Sequence, residues 1–351
     1  MKNKHLVMLL LSSCCLAACV DSKYDLSDVN TDDAVMGESW VAPLGMGFVT
    51  DDVVNVEKVP SIREVDGAYV MIYDGEMKIK GKSLRAASDK VEIASEDITT
   101  GDIDGLFDGD FVLALTNPRI TLKSNVKNAS LDCSLSIEAE NTSKKEATSS
   151  DFTLSTVSPN IWIGPLDPKT DAFKFVKNEK LPGIVQIVPQ KIHLSLSADS
   201  KQWANAPADA LSELRYAVEL PLTPAPEFSA VSVERIEDAF DEDFVDYIFS
   251  DGSARIYGEV TNEMPFDMSI EMVIMDENNV PVDIQFPAQE VKGQSGEVIF
   301  EITKEDMPKM KDARHIDLNL HLTGRDQGEA LKKGQKTTFN LKLKKEGGIS
   351  I

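Results

Sequence analysis

The sequence is poor in the residues that usually carry catalysis or cross-links. It has only 4 cysteines, 4 histidines and 3 tryptophans in 351 residues. Cys14, Cys15 and Cys19 lie within the first twenty residues, so Cys133 is the one cysteine of the remaining chain. A disulfide within that part of the chain is excluded, and packed cores have to stabilise the fold. Cys133 alternates with Leu131 and other apolar residues, which predicts a buried structural thiol.

Basic residues are also scarce. Lys and Arg number 36 against 59 Asp and Glu, which gives a formal net charge of −23. Removal of residues 1–18 takes away Lys2 and Lys4 and no acid, so the charge becomes −23 − 2 = −25. Nucleic-acid readers need a basic surface, so nucleic acid is excluded as a partner. We expect so acidic a body to stand away from anionic lipid surfaces.

The chain also lacks a hydrophobic run long enough to span a bilayer. Residues 6–20 are uncharged, but this run is shorter than the roughly 20 residues that a spanning helix needs. Lys2 and Lys4 precede it, and small residues follow, which is the layout of a secretory signal. The sequence therefore predicts an exported protein whose signal is removed.

The end of this signal indicates a lipid anchor. Residues 16–19 read Leu-Ala-Ala-Cys, which resembles the bacterial lipobox, and the Cys19 thiol supplies the nucleophile that takes diacylglycerol. Each buried CH₂ of an acyl chain contributes about 0.8 kcal/mol to membrane binding, so several chains hold a protein firmly. The alternative is a soluble exported protein cut after Ala18.

Amino-acid composition divides the rest of the chain into three parts. Residues 19–39 are acidic and have little to bury, so they predict a flexible tether. Residues 40–222 and 227–351 are of ordinary domain size and predict an N-terminal β-rich domain and a C-terminal β-sandwich domain. Pro221, Pro224 and Pro226 mark the boundary, because three prolines in six residues disfavour helix and central strand alike.

Period-two alternation of apolar and polar residues predicts several half-buried strands. It is clearest over residues 192–197, 316–322 and 337–344. Residues 65–79 predict a hairpin that turns at Asp74-Gly75. The predicted fold class is therefore mainly β, with two tandem antiparallel β-sandwiches and a few short helices.

Three segments predict helices. Residues 209–217 predict a short helix capped by Asp209, and residues 303–311 predict another that opens at Thr303. Residues 233–248 carry apolar side chains at every fourth position with acids between them, which predicts an amphipathic helix with an acidic outer side.

Known catalytic motifs are missing from the sequence. It contains no phosphate-binding Gly-Lys-Ser/Thr loop, no Gly-x-Ser-x-Gly elbow and no His-Glu-x-x-His zinc motif. His193, His315 and His321 fall at the polar positions of alternating strands, which predicts solvent-facing side chains. Trp40, Trp162 and Trp203 are too scattered to predict a carbohydrate platform. No catalytic residue and no cofactor is predicted.

One acidic cluster is a weak candidate for calcium. Asp102, Asp104, Asp108 and Asp110 lie among glycine turns, but Leu106 stands where a helix-loop-helix calcium loop needs an oxygen ligand. A second cluster, residues 241–246, is better explained as the solvated face of a helix.

Several segments together resemble uncharacterised lipoproteins of Bacteroides-type gut bacteria. They are Cys19 with residues 23–29, and residues 40–77, 214–222 and 260–268. The resemblance implies an outer-membrane lipoprotein with tandem immunoglobulin-like sandwiches, and it brings no activity and no catalytic residues. An acidic stretch after the lipidated cysteine favours surface display in those bacteria, and residues 20–23 match it poorly, so the leaflet stays open.

The leading functional hypothesis is a non-enzymatic envelope lipoprotein that binds or assembles with a glycan or another envelope protein. The first alternative is a glycan-binding accessory lipoprotein of an outer-membrane uptake system, which needs coplanar exposed aromatics. The second alternative is a carboxylate-dependent hydrolase, which needs two facing acids roughly 5 to 9.5 Å apart.

Overall fold

Twenty β-strands make up most of the chain that the computed structural model describes, which comprises residues 39–81, 89–241, 245, 248–249, 252–326 and 328–346. The first ten are β1 (Ser39–Val49), β2 (Ile62–Val65), β3 (Ala68–Glu76), β4 (Lys78–Ile79), β5 (Lys90–Thr99), β6 (Phe111–Val112), β7 (Arg119–Ser124), β8 (Ser130–Glu140), β9 (Lys145–Ser155) and β10 (Asn160–Gly164). The others are β11 (Lys174–Lys177), β12 (Lys191–Asp199), β13 (Leu214–Pro221), β14 (Ser229–Ile236), β15 (Ser253–Asn262), β16 (Phe266–Met275), β17 (Gln289–Val291), β18 (Ser295–Ile302), β19 (His315–Gly324) and β20 (Lys336–Glu346).

Helices are short and few among the described residues. They are α1 (Thr50–Val53), α2 (Leu181–Gln186) and α3 (Ser200–Asn205), with 3₁₀ helices at Gly101–Gly105 and Met307–Asp312. Val245 and Ile248 are also helical. The predicted mainly β fold class with several antiparallel sheets is confirmed. No helix of the described part is long and apolar enough to cross a membrane.

The strands that include both ends of the described chain form one sandwich, which we call the terminal roll. Its sheets have the orders β1-β20-β15-β18 and β17-β16-β19-β14-β6. If β1 and β14–β20 are counted as strands one to eight, the sheets read 1-8-3-6 and 5-4-7-2. This is the strand order of a jelly roll, and β6 is an added edge strand.

Apart from β6, the strands between β1 and β14 form a second sandwich, which we call the inserted roll. Its sheets have the orders β11-β10-β7-β13-β3-β2 and β4-β5-β12-β8-β9. Counting β3, β5, β7–β10, β12 and β13 as one to eight again gives 1-8-3-6 and 2-7-4-5. The chain therefore contains the same jelly-roll topology twice.

Both sandwiches depart from the predicted immunoglobulin-like order. In an immunoglobulin sandwich the last strand pairs with the strand just before it in sequence. Here the last strand of each roll lies between the first and the third, as β20 lies between β1 and β15. Alternation predicts where strands lie, whereas their pairing depends on contacts far apart in the chain.

Strand pairing also crosses the predicted domain boundaries. β1 belongs to the predicted segment 40–222, yet it pairs along its whole length with β20. The two residues of β6 pair with β14 in the same way. The proline-rich connection is held between the rolls as well, because Leu115 forms a bridge with Pro224. The boundaries themselves stay a prediction.

The interior is continuous across all four sheets. Phe48, Leu122, Leu194 and Ile270 each represent a different sheet, and all belong to one cluster of buried apolar residues. Backbone hydrogen bonds close the junction, since Tyr69 N donates to Leu331 O at 2.9 Å and Leu331 N donates to Leu222 O at 2.8 Å. The two rolls are therefore joined through both packing and backbone pairing.

The three strongly alternating segments are strands, as predicted, but the predicted hairpin turn is wrong. β3 runs straight through Asp74-Gly75, and the hairpin turns earlier, where Asp66 and Gly67 have φ of 52° and 78°. Two successive positive φ values are those of a type I′ turn. Gly75 lies beneath Tyr216, whose hydroxyl would be 2.8 Å from an added Cβ.

The helix predictions mostly fail. Strand β13, over 214–221, takes residues 214–217 of the segment predicted as a helix over 209–217. The nearby helix α3 is instead capped by Asp199, which accepts from Lys201 N and Gln202 N at 3.0 and 2.9 Å. The 303–311 segment forms only the 3₁₀ helix Met307–Asp312. β14 covers residues 233–236 of the third predicted helix, but Val245 and Ile248 near its end are helical and buried, and Val245 N donates to Asp241 O at 3.0 Å. Residues 242–244 and 246–247 lie outside the described residues.

Candidate binding cleft at the junction of the two rolls

A cleft with a volume of about 930 Å³ lies where the inserted roll meets strand β6 of the terminal roll. Its lining is Phe111, Val112, Lys144, Glu146, Ala147, Glu179, Lys180, Gly183, Ile184, Gln186 and Ile187. The volume is at the upper end of the range for small-molecule sites, and binding sites occur preferentially between domains. We call this site the junction cleft.

Helix α2 forms one wall of the junction cleft. Leu181, Ile184 and Val185 are buried, and Pro182 at the first turn favours the start of the helix because it has no N–H to leave unpaired. The buried Asn178 fixes this start: its Nδ2 donates to Ser150 Oγ at 2.9 Å, and its Oδ1 accepts from Lys180 N at 3.0 Å.

The turn between β8 and β9 forms the opposite rim. Asn141 Oδ1 accepts from Ser143 N at 2.9 Å and from Lys144 N at 2.7 Å, which shapes the turn. Asn141 Nδ2 donates to Ile187 O at 2.5 Å, just past the end of α2. This asparagine therefore connects the rim to the wall and places Lys144 at the cleft. No sequence motif marks Asn141 or Asn178, so neither was predicted.

Strand β6 is held in place by aromatic packing. Phe111 lies 5.3 Å from Phe107, Phe107 lies 5.5 Å from Phe228, and Phe228 stacks on Phe266 at 5.1 Å, between ring centroids. Gly109 permits the close approach to β14, because an added Cβ would lie 2.6 Å from Val231 O. The side of the cleft that the terminal roll contributes is therefore anchored in its core.

The charges of the junction cleft are only partly paired. Lys177 Nζ lies 2.6 Å from Glu179 Oε1, and this contact lowers the pKa of the Glu179 carboxyl. Among the described residues, Lys144, Lys180 and Glu146 take part in no ion pair. Two lysines without ion-pair partners, Lys144 and Lys180, thus face one unpaired carboxylate, that of Glu146. The cleft is therefore locally cationic in a strongly acidic protein.

Two further recesses differ from the junction cleft in charge. The charged side chains of one are paired with each other, and the lining of the other is mostly acidic. A recess of about 280 Å³ on the outer face of β5, β12 and β8 surrounds His193, whose Nδ1 lies 2.7 Å from Asp97. Lys145 pairs with Glu138 there at 2.7 Å, so opposite charges satisfy one another. A recess of about 590 Å³ beside α1 includes Asp51, which accepts from Tyr69 Oη at 2.5 Å.

The structure does not bring the four predicted calcium ligands together. Asp102 accepts from Tyr73 Oη at 2.7 Å, and Asp104 accepts from Gln190 Nε2 at 3.3 Å. Asp108 Oδ1 pairs with Lys58 at 2.9 Å. The described part of the chain has no group of three or more His, Cys, Asp or Glu side chains arranged for a metal ion. The carboxylates instead tie turns to neighbouring elements, so the calcium hypothesis has no structural support.

The other singled-out residues are dispersed. Cys133 is 2% exposed, as predicted, and burial raises the pKa of its thiol to about 12. Trp40 and Trp203 are buried in different rolls. The prediction that His315 faces solvent is wrong, because its side chain is 12% exposed and its Nδ1 accepts from Asp238 N at 3.0 Å. Cys19 lies outside the described residues.

The chain is strongly similar to a protein of known crystal structure. A crystal structure of a protein from Parabacteroides distasonis ATCC 8503, named as a candidate secreted protein, has 98% sequence identity and a TM-score of 0.86. The match covers 88% of this chain and 100% of that chain. No curated protein matches.

Two further solved structures overlap too poorly to carry an argument about fold or function. Peptide N-glycanase F matches at 9% identity over 79% of this chain and 96% of its own, with a TM-score of 0.25. The VP2 particle of infectious bursal disease virus matches at 8% identity over 91% of this chain and 75% of its own, with a TM-score of 0.21.

The family described as protein of unknown function (DUF4621) matches over residues 24–351, so the chain belongs to that family.

Proposed function

We propose that the protein is an outer-membrane lipoprotein, anchored through Cys19, that acts as a non-enzymatic binding or assembly module. Export is supported by the signal layout of the first 19 residues and by the relative named for secretion. The junction cleft is the proposed binding site, because its volume of about 930 Å³ exceeds those of the two other recesses described above and because it retains charges without partners.

The position of β1 is the observation that carries this proposal. Ser39, its first residue, pairs with Glu346 at the end of β20, whereas its last residue, Val49, pairs with Lys336. Thr50 N then donates to Gln335 O at 3.0 Å, and the chain enters the inserted roll. Eleven residues of strand span roughly 35 Å. A lipid before residue 39 is therefore connected to the terminal roll at the pole opposite the inserted roll.

The junction cleft lies at the end of the terminal roll farther from this anchored pole. Val112 pairs with Ser229, and Ser229 pairs with Thr323 near the end of β19. The neighbouring strand β16 starts at Phe266, whose carbonyl accepts from Asn262 Nδ2 at 2.7 Å, at the end of β15. The anchor then presents the cleft away from the membrane, where a partner can reach it.

Neither of the two alternative functions, glycan binding and carboxylate-dependent hydrolysis, is favoured by a specific observation. The partly buried Trp162 meets Phe173 edge to face, at 68° between ring planes, so the pair offers no coplanar platform for a sugar. The buried carboxylate of Asp317 is occupied by Arg235, whose Nε and Nη2 donate to it at 2.5 and 2.8 Å. It is therefore poorly suited to act as half of a hydrolytic pair.

Labelling cells with an alkyne-bearing palmitate analogue tests the anchor. We expect the wild-type protein and the Cys133→Ala control to carry label and to fractionate with the outer membrane. We expect Cys19→Ala to lose the label and become soluble. Label on the Cys19→Ala protein, or none on the wild type, would remove the proposed anchor.

Energy transfer tests the orientation. Leu166 in the inserted roll and Val280 in the terminal roll are 54% and 55% exposed, so a dye at either site meets similar solvent. In the lipidated Cys133→Ala protein on liposomes, a dye at Val280→Cys should transfer more strongly to a membrane dye than one at Leu166→Cys. Equal transfer would contradict the proposed display.

A further inference from the structure

Two sheets end at the junction cleft. β9 is the outermost strand of one sheet of the inserted roll, and its residues Glu146 and Ala147 line the cleft. β6 is the outermost strand of a terminal-roll sheet, and both of its residues, Phe111 and Val112, line the cleft from the other side. The cleft is therefore bordered by strand edges of two different sheets.

An outermost strand offers backbone groups that a further strand can pair with. Natural proteins usually shorten, cover or charge such edges to prevent unwanted pairing. β9 is 11 residues long, and its first three residues, 145–147, are all exposed. Edge strands of this kind bind extended peptides in several protein families through main-chain hydrogen bonds, with alternate side chains entering pockets.

The side chains of the cleft suit one kind of peptide. Ile187 and Phe111 supply apolar surface, and Val112 is 40% exposed beside them. Lys144 and Lys180 lie on the rim without carboxylate partners. An extended peptide that alternates apolar residues with Asp or Glu would place the former on the apolar wall and the latter beside the lysines.

We propose that the junction cleft binds an extended, acidic and apolar segment of a partner protein, which adds as a strand to the edge of β9 at Lys145–Ala147. This deepens the proposed binding role and rests on it. The proposed partner is a polypeptide, because only a polypeptide supplies both the main-chain pairing and the alternation of side chains.

A peptide-display selection tests this ligand class. Random 12-residue peptides are selected on the soluble chain that begins at Asp21, and the enriched sequences are synthesised for affinity measurement. We expect a consensus that alternates apolar and acidic residues. Lys144→Glu with Lys180→Glu should weaken these peptides by about tenfold or more, because repulsion replaces attraction. Lys292→Glu with Lys304→Glu makes the same charge change on exposed residues of the terminal roll and should leave the affinity unchanged.

Hydrogen exchange distinguishes strand addition from side-chain docking. Bound peptide should slow exchange of the outward-facing amides of residues 145–147, while β20 exchanges as before. Failure to enrich peptides, equal loss in both double variants, or unchanged exchange at β9 would overturn the peptide proposal. None of these outcomes bears on the palmitate labelling, so a failed ligand class and a failed anchor are separate results.

Discussion

The two rolls share one strand order but differ in how their strands are distributed along the chain. The inserted roll takes its strands from β2 to β13, without leaving that stretch. The terminal roll needs β1 at one end of the described chain and β20 at the other, paired from Ser39–Glu346 to Val49–Lys336. Closing contacts between residues that are far apart in the chain costs conformational entropy. We therefore expect the stability of the terminal roll to depend on the pairing of β1, which the inserted roll does not need.

The largest expected effect comes from emptying the core beneath β1. Phe48 is 2% exposed, and its ring lies 6.0 Å from that of Phe339 on β20. Phe48→Ala should lower the free energy of unfolding by about 3–5 kcal/mol, because it removes a buried ring and leaves a cavity. Urea unfolding measures this loss.

Val157→Ala is the matched control, because Val157 is 92% exposed and its truncation should change stability by no more than about 0.5 kcal/mol. If Phe48→Ala cost no more than this control, β1 would not belong to the terminal roll.

A crowding substitution at the junction should cost somewhat less. An added Cβ at Gly324 would lie 1.9 Å from Ala225 O, in the connection between the rolls. Gly324→Ala should destabilise the protein by about 1–3 kcal/mol or more, because the backbone has to shift. At Gly101 nothing lies within 4 Å of an added Cβ, so Gly101→Ala should be tolerated. Thermal unfolding compares the two, and equal melting temperatures would contradict the close junction.

Asn178→Ala should destabilise the inserted roll at the cleft wall. The substitution leaves Ser150 Oγ and Lys180 N without their buried partner, at a cost of about 1–3 kcal/mol. Asn205→Ala replaces an exposed asparagine and serves as the control. Hydrogen exchange should show the loss at α2 and β9 before the terminal roll. Uniform loss across both rolls would mean that the cleft wall is not a local unit.

The smallest expected effect separates two candidate helix caps. Asp199→Ala should cost about 1 kcal/mol, because its carboxylate caps α3. Asp209→Ala tests the cap that the sequence analysis predicted, and it should cost little, because no helix follows Asp209. Urea unfolding of the two variants decides between the two positions. A larger loss for Asp209→Ala would favour the predicted helix over the observed strand.

Local sequence patterns are sufficient to predict where the strands lie, but not which strands pair with one another. Alternation identified β12, β19 and β20, because each buries one face. The same pattern gives no sign that β1 pairs with β20 and not with a nearby strand. That choice depends on the whole sandwich, and so the jelly-roll order was not predicted.

The failed local predictions have physical causes. Asp74-Gly75 carries a hairpin signal, but its glycine accommodates Tyr216, and Asp66-Gly67 makes the turn. Residues 214–217 have helix-compatible composition, yet Leu214 and Tyr216 face the core at strand spacing. The junction cleft was not predicted either, because its parts come from β6, β9 and α2, which only the tertiary fold brings together.

Hydrogen exchange of β1 tests the central claim most directly. In the soluble chain that begins at Asp21, amides of Ser39–Val49 that face β20 should exchange as slowly as those of β20, and Phe48→Ala should accelerate both strands together. Exchange of residues 39–49 within seconds, with β20 still protected, would show that this segment is part of the tether and would contradict the closed terminal roll.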